Sequence, residues 1–116
     1  MAEKRRAWSG RVQIKGSDGT ESDHSLIVRE LPGAPSARRV RILTVGEGEL
    51  ILQPGGRFNY APFAINTPSG TPQIHRLEGH AESLEGKVRG RFRLTRDGTE
   101  TATGSFEVKL RVPPPS

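Results

Sequence analysis

The sequence has no cysteine among its 116 residues, and only 32% of the residues are hydrophobic. The lack of cysteine excludes disulfides, thiolate metal ligands and a cysteine nucleophile. No apolar run approaches the ~20 residues that a helix needs to span a bilayer, and the basic start of the chain leads into no signal-peptide core. We therefore expect no membrane association, and we favour a cytoplasmic location.

Long stretches without helix breakers are also missing, because the chain contains 14 glycines and 9 prolines. Apolar residues instead recur at every second position, most clearly over 87–94 and 101–112, which is typical of strands with one buried face. The sequence therefore predicts an all-β fold, an antiparallel meander of about eight short strands that forms a sandwich or flattened barrel. We assign 7–112 to a single β domain, 1–6 to a basic N-terminal arm and 113–116 to a proline-rich C-terminal tail.

Two hairpins can be derived from the alternation. In the first, a three-residue turn over 17–19 with Gly19 in the left-handed conformation places Trp8 opposite Val28. Inward positions of the two strands then face each other, which a register shifted by one residue would not allow. The sequence therefore predicts both the turn and the pairing of this hairpin.

The last hairpin is predicted to turn in the same way over 96–98, with Gly98 left-handed. That turn pairs Phe92 with Ala102 and makes two glycines face each other, which leaves a hollow that a bulky side chain should fill. The facing glycines are Gly90 and Gly104, and the candidates to fill the hollow are Trp8 and Phe58.

The middle of the chain is predicted to form strands over 38–45 and 49–53, which turn around Gly46, and an irregular segment over 61–72. Both faces of these strands carry apolar residues, so another subunit should cover the second face, with the irregular segment as the alternative cover. We therefore expect a homo-oligomer or a larger protein assembly. The residues assigned to the assembly interface are Leu43, Val45, Ile51 and Ile27.

No arrangement of catalytic or metal-binding residues stands out. His80 and Glu82 share one face of a strand, and His24 or His75 would have to complete a metal site. His75, however, is five residues from His80 and would point to the opposite face of the strand. The motif Gly-x-Ser-x-Gly is absent, and most of the 13 carboxylates adjoin turns or oppose cations. We expect no enzyme activity, no bound metal and no cofactor.

Positive charge is in excess, with a net charge of +5 at pH 7. Four cations along one predicted strand point outward at intervals of about 6.5 Å, close to the phosphate repeat of an extended nucleic acid strand. Few aromatic residues are available for stacking on bases, and an acidic residue opposes the stripe. Binding of a polyanion or nucleic acid is therefore the first alternative function. The cations of this basic stripe are Lys87, Arg89, Arg91 and Arg93.

The first predicted strand opens with Trp8-Ser9-Gly10, which resembles the opening of calycin-type ligand barrels over these three residues. The resemblance implies a barrel that binds a small ligand, and this is the second alternative function. The principal expectation is a non-catalytic β-sandwich module that self-associates or binds protein partners through its apolar sheet face.

Overall fold

The computed structural model describes residues 7–31, 33–84 and 87–111, and at residues 35, 59–61 and 84 it describes the backbone alone. The predicted arm and tail lie outside the described residues. The described residues form eight strands, each antiparallel to the one before it. The strands are β1 (Ala7–Gly16), β2 (Glu21–Leu31), β3 (Ala34–Ile42), β4 (Gly46–Ile51), β5 (Arg57–Ile65), β6 (Gln73–Leu84), β7 (Lys87–Arg96) and β8 (Thr99–Arg111). In this part of the chain no helix is long and apolar enough to cross a membrane.

The sheet closes on itself, because β8 pairs with β1 as well as with β7. The closing ladder runs from Ala7 opposite Arg111 to Gly16 opposite Ala102. The predicted all-β antiparallel meander is confirmed, and the barrel is the architecture that forms. A sandwich would require two separate sheets, whereas these strands form one continuous sheet.

The first hairpin has the predicted register, with Trp8 opposite Val28. Gly19 adopts the left-handed conformation with a φ of 86°. The Asp18 carboxylate accepts a hydrogen bond of 2.9 Å from the backbone N–H of Thr20. This hydrogen bond lowers the pKa of Asp18 below its ordinary value, since it stabilises the ionised carboxylate.

The predicted three-residue turn of the last hairpin is wrong. Asp97 and Gly98 form a two-residue turn in which both residues have positive φ, 52° and 79°. This is the combination that a type I′ turn requires, and its twist matches that of the flanking strands. A β-bulge next to the turn restores the alternation, so that Phe92 lies opposite Gly104 rather than Ala102.

The hollow predicted between Gly90 and Gly104 does not form, because these glycines are not opposite each other. A Cβ atom at Gly104 would overlap the ring of Phe92, and a Cβ atom at Gly90 would come within 2.9 Å of the ring of Phe106. The two phenylalanines of this hairpin therefore occupy the space, in place of the aromatic residues that the sequence suggests. The glycines allow the sheet to bend closely around these rings.

Alternate residues of the strands point into the barrel and form one apolar core. The removal of each large apolar side chain from water contributes about 1.5–3 kcal/mol to stability. The buried hydrophobic residues are Trp8, Val12, Leu26, Val40, Ile42, Leu50, Phe58, Phe63, Leu77, Phe92, Leu94 and Val108.

The middle strands have different bounds from those predicted. Residues 43–45 form the turn between β3 and β4, whereas the sequence predicts this turn around Gly46. Residues 61–65 belong to β5, so the irregular segment is limited to 66–72. The prediction failed because apolar residues continue through the turn as Leu43 and Val45, and Val45 packs against the core although its position in the sequence is out of step with the inward Val40 and Ile42.

Candidate functional site

A cavity of about 290 Å³ lies inside one half of the barrel. Inward residues of all the described strands contribute to its wall, which is predominantly apolar. The lining residues are Trp8, Val12, Leu26, Val28, Arg38, Val40, Ile42, Leu50, Leu52, Gly56, Phe58, Leu77, Ala81, Ser83, Val88, Phe92, Phe106 and Val108.

Small residues keep this half of the barrel from being filled. Ala81 and Ser83 on β6, and Gly56 just before β5, line the cavity. Phe63 and Leu94, which are fully buried towards the other end, fill the barrel there. Ser83 is exposed, so the cavity reaches the surface at the end of the barrel where β6 ends.

Arg38 brings a positive charge to the cavity wall, although it is only 8% exposed. Its guanidinium carbon lies 5.2 Å from the ring centroid of Trp8, which is a cation–π contact. Nη1 donates a hydrogen bond of 3.0 Å to the Ala37 carbonyl oxygen, and Glu30 lies directly opposite Arg38 on β2. The otherwise apolar cavity therefore has a polar group at a fixed position.

Beside the cavity, the described ladder between β4 and β5 is short. In the described part of the chain their ladder is limited to Gly46–Gly48 opposite Phe63–Ile65. At the other end of β4 the Gln53 N–H donates a hydrogen bond of 2.7 Å to the Arg57 carbonyl oxygen. The cavity-lining Leu50 lies between these two places, outside the described ladder pairs of β4 with β5.

The outer face carries the predicted basic stripe, but two of its cations face acids. Arg89 of β7 lies between Glu82 of β6 and Glu107 of β8 in the ladder register. The Arg93 Nε donates a hydrogen bond to the Glu78 carboxylate, with which it forms an ion pair. The charges of these two arginines are therefore compensated by the neighbouring strands.

The other two members of the stripe have different surroundings. Arg91 lies between His80 and Ser105, neither of which is an acid. Lys87, at the end of β7, lies opposite another cation, Lys109. The four residues of the stripe therefore do not form a uniform positive surface.

The structure separates the four residues assigned to the assembly interface. Leu43 and Val45 lie in the β3–β4 turn, while Ile51 ends β4 about 20 Å further along the strand. Ile27 is half-buried and lies opposite Arg41, near the C-terminal end of β3. The continuous apolar face that the sequence predicts is thus interrupted. Among the side chains that the structure describes, the exposed large hydrophobic ones are Ile51, at 66%, and Ile74, at 59%.

The histidines lie in different places. His75 is buried, and its Nδ1 lies 3.0 Å from the Thr101 Oγ1. Burial, with a smaller contribution from the positive charge of Arg96, lowers the pKa of His75. His80 is on the outer face, and His24 lies on β2, so that within the described ranges no three possible metal ligands come together.

Sequence reasoning missed the cavity and the buried position of Arg38. One signal was available, since Arg38 has the same parity as Val40 and Ile42, which both point inward from β3. An arginine at an inward position of a strand is unusual because a buried charge needs compensating contacts.

Comparison of the sequence with the known protein families gives no match, and no curated protein is similar to it in sequence. The structure alone therefore defines the class of this protein, a closed antiparallel β-barrel with an interior cavity.

Proposed function

We propose that this protein is a non-catalytic binding protein that holds a small, mostly apolar molecule inside its barrel. The observation that carries the proposal is the cavity of about 290 Å³, which is lined by apolar side chains and reaches the surface at Ser83. Small-molecule sites are typically concave and apolar with a few fixed polar groups. A barrel of this kind has an interior just wide enough to hold one small ligand.

The size of the cavity restricts the ligand. Its volume of about 290 Å³ is roughly twice the ~150 Å³ of an engineered apolar cavity that binds benzene. A molecule of two aromatic rings, or one with a short branched alkyl chain, matches this space. The Arg38 guanidinium makes one part of the cavity wall polar, and Trp8 provides an aromatic surface there.

Trp8 makes a direct binding test possible, because it is the single tryptophan of the sequence and lines the cavity. The neutral two-ring fluorophore 1-aminonaphthalene should quench the fluorescence of Trp8 and become brighter itself, in a saturable titration. The change Ser83→Phe places a ring at the mouth of the cavity and should weaken binding by about tenfold or more.

The matched control is Glu82→Phe, which adds the same ring to the adjacent residue on the outer face. This variant should bind the fluorophore within about twofold of the wild type. Equal weakening by the two changes, or no saturable binding by the wild type, would reject the proposal.

A second candidate function is self-association or the binding of protein partners. It is supported by Ile51, which is 66% exposed at the end of β4, beyond the described ladder with β5. Specific interfaces usually bury at least about 1,000 Å², so Ile51 would have to be part of a larger contact. The mass of the protein in solution tests this candidate, as set out in the Discussion.

A further inference from the structure

A row of polar and basic side chains crosses the outer face of the barrel. Each residue of this cross-strand row lies directly opposite the next one on the neighbouring strand, and all of them line an outer groove of about 1050 Å³. In order from β1 through β8, β7 and β6 to β5, the row consists of Gln13, Ser105, Arg91, His80 and Arg57.

The charges on one side of this row are already compensated. There Arg89 lies between Glu82 and Glu107, and Glu107 in turn lies opposite Arg11 of β1. Positive and negative side chains thus alternate from strand to strand, and this part of the surface has no net charge to offer a ligand.

The other side of the row is compensated in the same way. Arg93 forms an ion pair with Glu78, and Lys15 lies opposite Glu21. The cross-strand row is therefore bordered on both sides by residues whose charges are locally balanced.

Arg57 and Arg91 are not balanced in this way. Among the described residues, the side chains of Arg57, His80, Arg91 and also Arg89 form no hydrogen bond or ion pair, so what distinguishes Arg57 and Arg91 from Arg89 is that no acid lies directly opposite them in the described ladders. The acid in line with the row is Asp23, opposite Gln13. Three strand spacings, or about 14 Å, separate its position from that of Arg91. The nearer acids, Glu78 and Glu82, lie diagonally to Arg91, two residues along β6 on either side of His80; Glu78 is paired with Arg93, and Glu82 lies opposite Arg89.

We propose that the cross-strand row binds the phosphate group of a small molecule, with Arg57 and Arg91 holding the phosphate from either side of His80. The two arginines are separated by two strand spacings, about 10 Å, so that their side chains can approach one anion between them. Guanidinium groups bind phosphate through paired hydrogen bonds, and a phosphate has enough oxygens for both arginines and for His80.

The groove extends beyond these three residues, and the rest of its lining is mixed in charge, with the acids Glu21, Asp23, Glu78 and Glu100 among it. Ser105 and Gln13 continue the row away from Arg91 and offer hydroxyl and amide groups for hydrogen bonds. The site is on the outer face, whereas the apolar cavity is inside the barrel. The inference therefore does not depend on the function proposed for the cavity.

Calorimetric titration with inorganic phosphate and with glycerol 3-phosphate at low ionic strength tests this proposal. Both probes should bind at one site per chain, and glycerol 3-phosphate should bind more tightly because it also reaches the polar part of the groove. The changes Arg91→Gln and Arg57→Gln should each weaken binding by about tenfold.

The matched control is Arg89→Gln, which removes the same charge from the same face of β7 but from a residue flanked by two acids. It should change the affinity by less than about twofold. Equal losses in Arg89→Gln and Arg91→Gln, or no binding of either probe, would overturn the proposal. The proposal would also be overturned if a single-stranded oligonucleotide bound more tightly than either probe and if Arg89→Gln and Arg91→Gln weakened its binding equally. That result would indicate a general polyanion surface.

Discussion

At the scale of single residues, the buried His75 shows how the barrel accommodates a titratable side chain. The Thr101 hydroxyl donates a hydrogen bond of 3.1 Å to the Leu94 carbonyl oxygen, which leaves its own oxygen free to accept one from Nδ1–H of His75. The neutral ring is therefore satisfied without a second proton. Burial, followed by the charge of Arg96, lowers the pKa of His75 and so favours this neutral form in the folded protein.

The lowered pKa of His75 makes stability depend on pH in a defined direction. In the unfolded chain a histidine takes up a proton near its ordinary pKa of about 6.5, whereas folded His75 takes it up at a lower pH. Stability should therefore fall as the pH decreases from 7.5 through 6.5, and this loss should end once the folded state is also protonated. Melting temperatures between pH 8 and pH 5 measure the effect.

The variant His75→Gln removes the titrating group and retains an N–H donor for Thr101. Its melting temperature should depend less on pH over this interval than that of the wild type. An equally steep decrease in the variant would show that other groups cause the pH dependence.

At the scale of the strands, the inward glycines determine how closely the sheet can bend. Gly104 lies opposite Phe92, whose ring occupies the place of the missing side chain. A valine at this position would overlap the ring and would force the two strands apart.

Gly104→Val should therefore lower the free energy of unfolding by about 1–3 kcal/mol, as overpacked cores usually do. The control Thr103→Val changes the preceding, exposed residue and should stay within about 0.5 kcal/mol of the wild type, because valine is well tolerated in strands. Urea denaturation measures both values. A loss of stability in Thr103→Val as large as that in Gly104→Val would show that the glycine has no special role.

The sequence is sufficient to predict a strand pairing where a single turn determines it. The pairing of Trp8 with Val28 follows from the turn that ends in Gly19, and the structure has this pairing. The pairing of Phe92 was predicted incorrectly, because the turn at Asp97 and a bulge shift the register by two residues without changing which residues face inward. Alternation cannot distinguish two registers that differ by an even number of residues.

At the scale of the whole molecule, the sequence left a barrel and a sandwich as alternatives and did not locate the cavity. Barrel closure and the cavity both depend on the contact of β1 with β8, and alternation specifies the faces of these strands but not their neighbours. The cavity results from the small volume of Ala81, Ser83 and Gly56, which becomes significant only when these residues share one end of a closed barrel. The row of Arg57, His80 and Arg91 likewise comes from three strands and requires the register of all three.

The self-association considered as a second function belongs to this scale. If Ile51 is buried between copies, the change Ile51→Lys should produce a folded species of smaller mass in sedimentation experiments, since the contact would then have to bury a charge. Ile74→Lys is a control for the other exposed isoleucine, which lies on β6. A wild-type protein that sediments near 12.7 kDa at micromolar concentration would rule out self-association.

The pairing of β1 with β8 also concentrates the entropic cost of loop closure at one place. Every other ladder joins strands that follow each other in the chain, so its ends meet across a short connection. Ala7 and Arg111, which pair in this ladder, are 104 residues apart in the sequence (111 − 7). The entropic cost of closing a loop increases by about 0.6 kcal/mol for each doubling of the loop length. In the unfolded chain, the first contact of the closing ladder therefore costs roughly 3 kcal/mol more than the first contact of a hairpin with a turn of a few residues. We therefore expect closure of the barrel to cost more conformational entropy than formation of any one of its hairpins.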